Sequence, residues 1–533
     1  MEAKTRYLIL LLIVGGIIFL FNIGGRDLWE PDETRYAAIA REMRWSGNWI
    51  LPHLNGQIYA EKPPLFFWLI NLSTFFFGSN NEFTNRFPSA LAGLITLFMT
   101  FLFGEKLFNL RTGFLSSLVL ATCFLFPQLS RWMMLDSLFT LFFLLALFYF
   151  YLGYEEEEGR RRYYFLAGLF MGLGVLTKGP VAYLAIPIFL IFAFFQKNLK
   201  KFWCRNLLWG CLLSVILVLM WWIPACWIGG KEYIHWILLK QAVGTYVEGG
   251  IHFHPQPFYF YFIRFPLEFF PWIVFLPTAF IFGLRKGGDK RKEFLFLFVW
   301  FVFIFLFFTF SIGKKDNYLL PLYPAAALIV GRLWDTGLQS GKGGKGFVSG
   351  VSLLTFLFLT AFVLFLSGVP KKSFPILTSY HSLALSILTY LLIGSLVSLL
   401  FLMKKKEWAS FIILVITFAV FHLHISYSLP LKLNTQRSMK AFSERILKRM
   451  EKGDELKTIF SKYNGLLYYT KKPYIEEIGN KDRFVEVFHS SQRVFIVFQA
   501  REFEALKKAL DIEMVPIEQV RVGRWDLVLI SNR

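Results

Sequence analysis

Charge is scarce in this chain. Only 17% of its 533 residues are Asp, Glu, Lys or Arg, whereas 56% are hydrophobic and 64 are Phe. A soluble domain of this length needs far more ionic surface, so a globular water-soluble protein is excluded. Cysteine is sparse as well. The four present (Cys123, Cys204, Cys211 and Cys226) lie in or beside apolar runs without ligand-like spacing. Neither a disulfide framework nor a zinc site follows from them. Internal repetition of the kind seen in inverted-repeat transporters is missing too.

Long apolar runs are what the chain has instead. Leu8–Phe21, Phe139–Leu152, Phe294–Phe310 and Leu353–Leu366 approach or reach the roughly 20 residues that cross about 30 Å of hydrocarbon. The first run follows a short basic start but precedes no convincing cleavage site, so it reads as an uncleaved span rather than a signal peptide. The expected spans are 7–25, 88–105, 112–130, 136–154, 163–178, 180–196, 205–227, 266–285, 292–312, 318–335, 347–367, 380–403 and 408–428, about thirteen helices.

The net charge of +21 fits this picture, because Lys and Arg collect in short cytoplasmic loops. The connections Glu155–Arg162, Lys197–Arg205, Arg285–Lys292, Gly337–Gly346 and Lys404–Glu407 are basic. All five fall on one side together with Lys4 and Arg6, which makes that side cytoplasmic and puts the C-terminus outside. Pro64–Gly78 is apolar but short and opened by prolines, so it reads as an interfacial or re-entrant helix. Residues 24–87 then form a first external loop and 228–265 a second. Together these place a transmembrane domain at 1–428 and an external α/β domain at 429–533, of the size expected for a small domain. In that domain Ser438–Glu451 and Glu502–Leu510 read as helices, and Arg493–Phe498 and Leu527–Ile530 as strands.

The chemistry-bearing residues gather on the outer side. Trp29–Tyr36 carries Glu30, Asp32 and Glu33 just after a span. Read alone, these acids suit a helix start over 35–46, with Asp32 or Thr34 as cap. Glu61–Lys62–Pro63–Pro64 adds an acid beside a lysine, Arg86 ends the loop, and Asp136 opens an almost wholly apolar helix near Arg131. A carboxylate at a membrane boundary is costly unless it pairs or works. The second loop offers His252, His254, Tyr259, Tyr261 and Arg264, residues that also populate interfacial aromatic belts. Gly313–Tyr318, with Lys314 and Lys315, and Lys178 put cations on the outer side, which suits an anionic lipid phosphate as well as a solvated turn. Acids and bases converging from separate segments match transfer from a phosphate-linked donor, in which cations hold the leaving phosphate and carboxylates position the acceptor.

In order and spacing, Trp29–Tyr36 with Ile39–Met43, Glu61–Leu65, Asn85–Ala90, Met134–Ser137, Leu173–Pro180, Pro257–Tyr261 and Gly313–Leu320 resemble the C-type glycosyltransferases. The resemblance is to the branch of aminoarabinose transferases and bacterial relatives of protein mannosyltransferases. It implies an α-helical polytopic membrane fold with a small soluble domain, a polyprenyl-phosphate-sugar donor and chemistry on the periplasmic face of the inner membrane. Asp32 and Asp136 are implied as catalytic-site carboxylates, with Glu33 beside them. Lys62, Tyr318 and Arg264 are implied at the lipid phosphate, with Arg86 and Lys314 as further cations. Glu61 and the loop histidine His254 are implied as a divalent-metal pair, with no organic cofactor. Lys240–Gln241 departs from the acid–histidine pair usual at that point in the family.

The expected activity is transfer of 4-amino-4-deoxy-L-arabinose or a related sugar from undecaprenyl phosphate to a lipid A phosphate, with no nucleic-acid partner. The alternatives are a transferase of the same fold acting on protein or another envelope glycan, and a transporter of polyprenyl lipids. A transporter should carry ionisable groups at mid-membrane. Here the helix interiors are almost uncharged.

Overall fold

The computed structural model describes residues 2–235, 255–286, 290–340, 344–368, 380–460, 463–510 and 513–533. The chain divides into two compact units, one of Met1–Phe21, Glu61–Phe66 and Phe87–Ser426, the other of Asn22–Ala60, Phe67–Arg86 and Tyr427–Arg533.

The first unit is helical. Among the described residues eight single helices are long and apolar enough to cross a membrane, or up to ten if each of two bent pairs is one span. The remaining expected spans are helices too, namely Arg160–Lys178, Pro180–Phe195 and Tyr323–Ser340. The bends were not foreseen. Leu110–Thr122 and Leu125–Arg131 meet at 67°, and Phe260–Glu268 and Trp272–Leu284 at 108°. A broken helix in an apolar setting exposes backbone polar groups that need partners. Here the two breaks serve each other, since Phe124 N–H donates to the Phe270 carbonyl at 2.9 Å and Trp272 Nε1 donates to Thr122 Oγ1 at 3.0 Å.

Aromatic side chains fill the core. Phe296 lies 5.0–5.8 Å, centroid to centroid, from the rings of Phe103, Tyr151, Phe189 and Phe192. Trp334 stacks on Phe347 at 4.0 Å. Where helices Arg160–Lys178 and Arg205–His235 cross, glycine is required: a Cβ on Gly168 would sit 2.0 Å from the Gly210 carbonyl oxygen. Small residues let helix backbones approach where lipid gives no hydrophobic drive.

The second unit combines the C-terminal region with Asn22–Ala60 and Phe67–Arg86. Its five-stranded sheet comprises β3 (Glu455–Ile459), β4 (Glu476–Ile478), β5 (Val494–Gln499), β6 (Glu518–Val522) and β7 (Trp525–Ser531), in the order β4-β3-β5-β7-β6. β3 runs parallel to β4 and β5, and β7 antiparallel to β5 and β6. Parallel neighbours need crossovers, which helices Asn464–Thr470 and Lys481–Phe488 supply. The helices expected at Ser438–Glu451 and Glu502–Leu510 run over Lys440–Arg449 and Ala500–Leu510. The short hairpin His53–Leu54 and Gln57–Ile58, here β1 and β2, turns through Asn55 and Gly56, both at positive φ, as a two-residue hairpin loop demands.

Polar clamps join the two parts of this unit. Arg41 donates to the carbonyls of Tyr468 (2.6 Å), Leu467 (3.0 Å) and Lys472 (3.2 Å), capping the end of helix Asn464–Thr470. Gly465 N–H, at its start, donates to Glu30 Oε1. Asn55 and Ile475 exchange two bonds of 2.8 Å. Leu65–Phe76 is a helix of 12 residues, too short to span, and Phe75 and Phe76 at its end are exposed.

Candidate active site

In the first unit the expected residues converge on one short segment. Asp136 occupies the first turn of helix Leu135–Glu155 and is 2% exposed. Its Oδ1 accepts from Lys178 Nζ, on the last turn of Arg160–Lys178, and its Oδ2 accepts from Asn317 Nδ2 at 2.8 Å. Arg131, the partner that sequence proximity suggested, donates instead to the carbonyls of Ile18 (2.6 Å) and Phe21. The Lys178 ammonium lies 5.0 Å from the Tyr318 ring centroid and 5.2 Å from that of Phe139, within cation–π range. Asp136 is thus a charged acceptor with both oxygens held in place, and Tyr318 stands over its counter-ion.

The same segment reaches Arg264. Arg264 Nε donates to Asp316 Oδ1 at 2.9 Å, and Nη2 donates to Oδ2. Buried Glu268 places its Oε1 3.4 Å from the guanidinium. Consecutive residues Asp316, Asn317 and Tyr318, at the start of the 3₁₀ turn Asp316–Leu322, therefore touch Arg264, Asp136 and Lys178 in turn. Of these, Asp316, Asn317 and Glu268 escaped the sequence reading. Gly313–Tyr318 reads as a basic turn, and only its lysines and tyrosine point to phosphate. Glu61 and Lys62 are half-buried in the turn before helix Leu65–Phe76.

Three expected ligand-facing residues turn inward. Lys314 is 4% exposed and donates to the carbonyls of Gln256 (3.0 Å) and Ser311. Its charge is consumed in fixing two loop segments, not offered to a phosphate. In the second unit, Glu33 and Arg86 are buried together. Arg86 donates to both oxygens of Glu33 (2.8 and 3.1 Å) and to the carbonyls of Ile23, Arg26 and Asp27. Arg26 adds two bonds of 2.6 and 2.8 Å to Glu33, and Trp29 N–H one of 3.0 Å. Burial alone would raise the Glu33 carboxyl, but the charges and hydrogen bonds of Arg26 and Arg86 hold it well below the ordinary carboxylate range. Glu33 and Arg86 accordingly hold the backbone after the first helix, a structural task in place of the catalytic and phosphate-binding ones expected.

Asp32, one residue earlier, lies half-buried at the start of helix Asp32–Ser46 and pairs with Arg35. The cap of that helix is Pro31, not Asp32 or Thr34. Glu30 is pushed up to about 7 by burial, with Gly465 N–H opposing.

Only one member of the expected metal pair is among the described residues. Glu61 is described, whereas His252, His254, Lys240 and Gln241 lie outside the described residues. Among the described residues no group of three or more His, Cys, Asp or Glu side chains could hold a metal ion.

The helical first unit and the sheet-bearing second define an integral membrane protein of the C-type glycosyltransferase architecture. Residues 61–223 match the family described as dolichyl-phosphate-mannose-protein mannosyltransferase. The chain is 30% identical over 417 residues to the undecaprenyl phosphate-alpha-4-amino-4-deoxy-L-arabinose arabinosyl transferase of Photorhabdus laumondii, covering 76% of this chain and 74% of that protein. The like-named protein of Edwardsiella ictaluri is 31% identical over 336 residues, covering 61% of this chain and 59% of its own. That of Pectobacterium atrosepticum is 34% identical over 340 residues, covering 62% and 59%. The fold matches the crystal structure of ArnT from Cupriavidus metallidurans bound to undecaprenyl phosphate, with a TM-score of 0.81 at 19% identity over 99% of this chain and 98% of that one.

The chain belongs to the undecaprenyl phosphate-4-amino-4-deoxy-L-arabinose arabinosyl transferase family. It matches about three fifths of the length of the first two relatives from Edwardsiella and Pectobacterium.

Proposed function

We propose that the protein transfers 4-amino-4-deoxy-L-arabinose, or a closely related sugar, from undecaprenyl phosphate to a phosphate of lipid A. The reaction takes place on the periplasmic face of the inner membrane, with the N-terminus cytoplasmic and the C-terminal domain periplasmic. The observation that carries this reading is the convergence of Asp136, Lys178, Tyr318 and Arg264 on residues 316–318, in a chain whose relatives are named undecaprenyl phosphate-4-amino-4-deoxy-L-arabinose arabinosyl transferases.

The chemistry asks for little proton transfer. An acceptor phosphate is already anionic at neutral pH, so it attacks the anomeric carbon as its bond to the carrier oxygen breaks, and undecaprenyl phosphate leaves with the electron pair. Cations must then hold the leaving phosphate while its charge grows. Lys62 and Arg264 supply charge and Tyr318 a hydroxyl; the planar fork of Arg264 suits two phosphate oxygens at once. Asp136, fixed by Lys178 and Asn317, orients the sugar, and its carboxylate suits an amino group as partner. Asp32 is the second carboxylate of the proposal. Catalysis here is positioning and electrostatics, with no general base required.

Mass spectrometry of lipid A from cells with and without the intact gene tests the acceptor. A sugar-sized mass that appears only with the intact gene supports the proposal, and unchanged lipid A rejects lipid A as acceptor. In that case the same transfer to protein or another envelope glycan becomes the reading, favoured by the mannosyltransferase match over residues 61–223.

A further inference from the structure

The stretch before Arg264 and the stretch before Tyr318 are laced together at several points. Pro255 forms an antiparallel bridge with Gly313. Lys314 reaches the Gln256 carbonyl at 3.0 Å, and the Tyr261 hydroxyl donates to the Lys315 carbonyl at 2.9 Å. The Arg264–Asp316 pair comes last, and it differs from the others in exposure. Tyr261 and Lys314 are buried, whereas the side chains of Arg264 and Asp316 keep 42% and 37% of their surface.

Two unlike carboxylates lie within reach of the same Arg264 Nε. Glu268 is buried at 4% side-chain exposure, lies 3.4 Å from Arg264 Nε and accepts from the Tyr323 hydroxyl at 3.4 Å, so it stays where it is whatever happens outside. Asp316 is open to water, and an exposed ion pair shifts an equilibrium by only about one-and-a-half- to fivefold. An arriving phosphate presents the same bidentate face as Asp316 with more charge. It can take the Nε–Nη2 edge that Asp316 holds, while Glu268 stays within reach of Nε.

We propose that Asp316 is the exchange partner of Arg264. Its carboxylate holds the fork when no lipid phosphate is bound, gives way to the phosphate of the polyprenyl carrier, and retakes the fork as undecaprenyl phosphate departs. Asp316 is thus a positioning residue that limits how tightly the spent carrier is retained. This rests on the reading that Arg264 receives the carrier phosphate.

The test is binding of undecaprenyl phosphate, with undecaprenol as the uncharged control, to the purified full-length chain in phosphatidylcholine nanodiscs. D316N and D316S should bind undecaprenyl phosphate about one-and-a-half- to fivefold more tightly. R264A should bind it more weakly, and adding D316N to R264A should change nothing further. Undecaprenol should bind all variants alike. Unchanged or weaker binding by both Asp316 variants, alongside a weakened R264A, overturns the exchange and leaves Arg264 as a phosphate ligand. Unchanged binding by R264A removes the phosphate reading itself. Tighter undecaprenol binding by D316N also overturns the exchange, because the gain would not depend on charge.

Discussion

Replacing Glu33 by Gln separates a structural carboxylate from a catalytic one. The substitution keeps the shape but removes the charge, leaving Arg26 and Arg86 packed together without the anion that takes four of their hydrogen bonds. Breaking a buried ion pair by neutralising one partner costs about 3–5 kcal/mol. For a unit of 150–250 residues each kcal/mol moves the midpoint by about 2–4 °C, so the apparent Tm should fall by roughly 6–20 °C. The assay is thermal denaturation of the purified full-length protein in detergent, beside a transfer assay at low temperature. A large drop in Tm with transfer retained in the surviving folded protein is the expected result. An unchanged Tm with transfer abolished would show that Glu33 acts in the chemistry and that its burial has been misjudged. The pH dependence follows the same logic. Because the folded Glu33 carboxyl lies below its ordinary value of 4.5, its contribution is complete above about pH 4.5 and is lost as pH falls further.

Glu30 gives the opposite sign. Its carboxyl is raised from 4.5 to about 7, so folding favours the protonated form and stability declines as pH rises from about 4.5 to 7. Glu30→Gln keeps an acceptor for Gly465 N–H, and it should flatten that decline and raise stability above pH 7 by up to about 3 kcal/mol; a pH profile identical to wild type would refute this. Asp136→Asn should abolish transfer while leaving a folded protein, because Asn317 and Lys178 then lose their anion and the sugar its acceptor; full activity in a transfer assay would remove Asp136 from the site. Lys62→Ala should weaken undecaprenyl phosphate binding by about 1.5–3 kcal/mol, read as a changed Kd in nanodiscs. An unchanged Kd would take Lys62 away from the phosphate.

Much of the fold was legible because apolar length alone decides what can lie in a membrane. The thirteen expected spans are all helical, but the breaks after Thr122 and Glu268 left no trace in hydropathy, since Phe124 and Phe270 are as apolar as their neighbours. What joins them is a pair of long-range hydrogen bonds between the two breaks. At the site, Asp136 and Tyr318 stood out from motif and position. The cluster Glu30–Pro31–Asp32–Glu33 could not be apportioned, because three similar acids differ only in what surrounds them: Gly465 for Glu30, Arg35 for Asp32, two buried arginines for Glu33. Arg86 and Lys314 misled for the same reason, since a cation on an outer loop looks alike whether it faces lipid phosphate or backbone carbonyls. Asp316 and Asn317 passed as turn residues, their partners being 52 and 181 positions away.

The central claim is that residues 136, 178, 264 and 318 serve one transfer from a polyprenyl phosphate. The most direct measurement uses the purified full-length protein and its Asp136→Asn variant in nanodiscs with undecaprenyl-phosphate-linked 4-amino-4-deoxy-L-arabinose and lipid A, following glycosylated lipid A and freed undecaprenyl phosphate together. The account predicts that both products form in equal amounts with the wild-type chain and that neither forms with Asp136→Asn. Release of undecaprenyl phosphate without glycosylated lipid A, or equal turnover by Asp136→Asn, would contradict it.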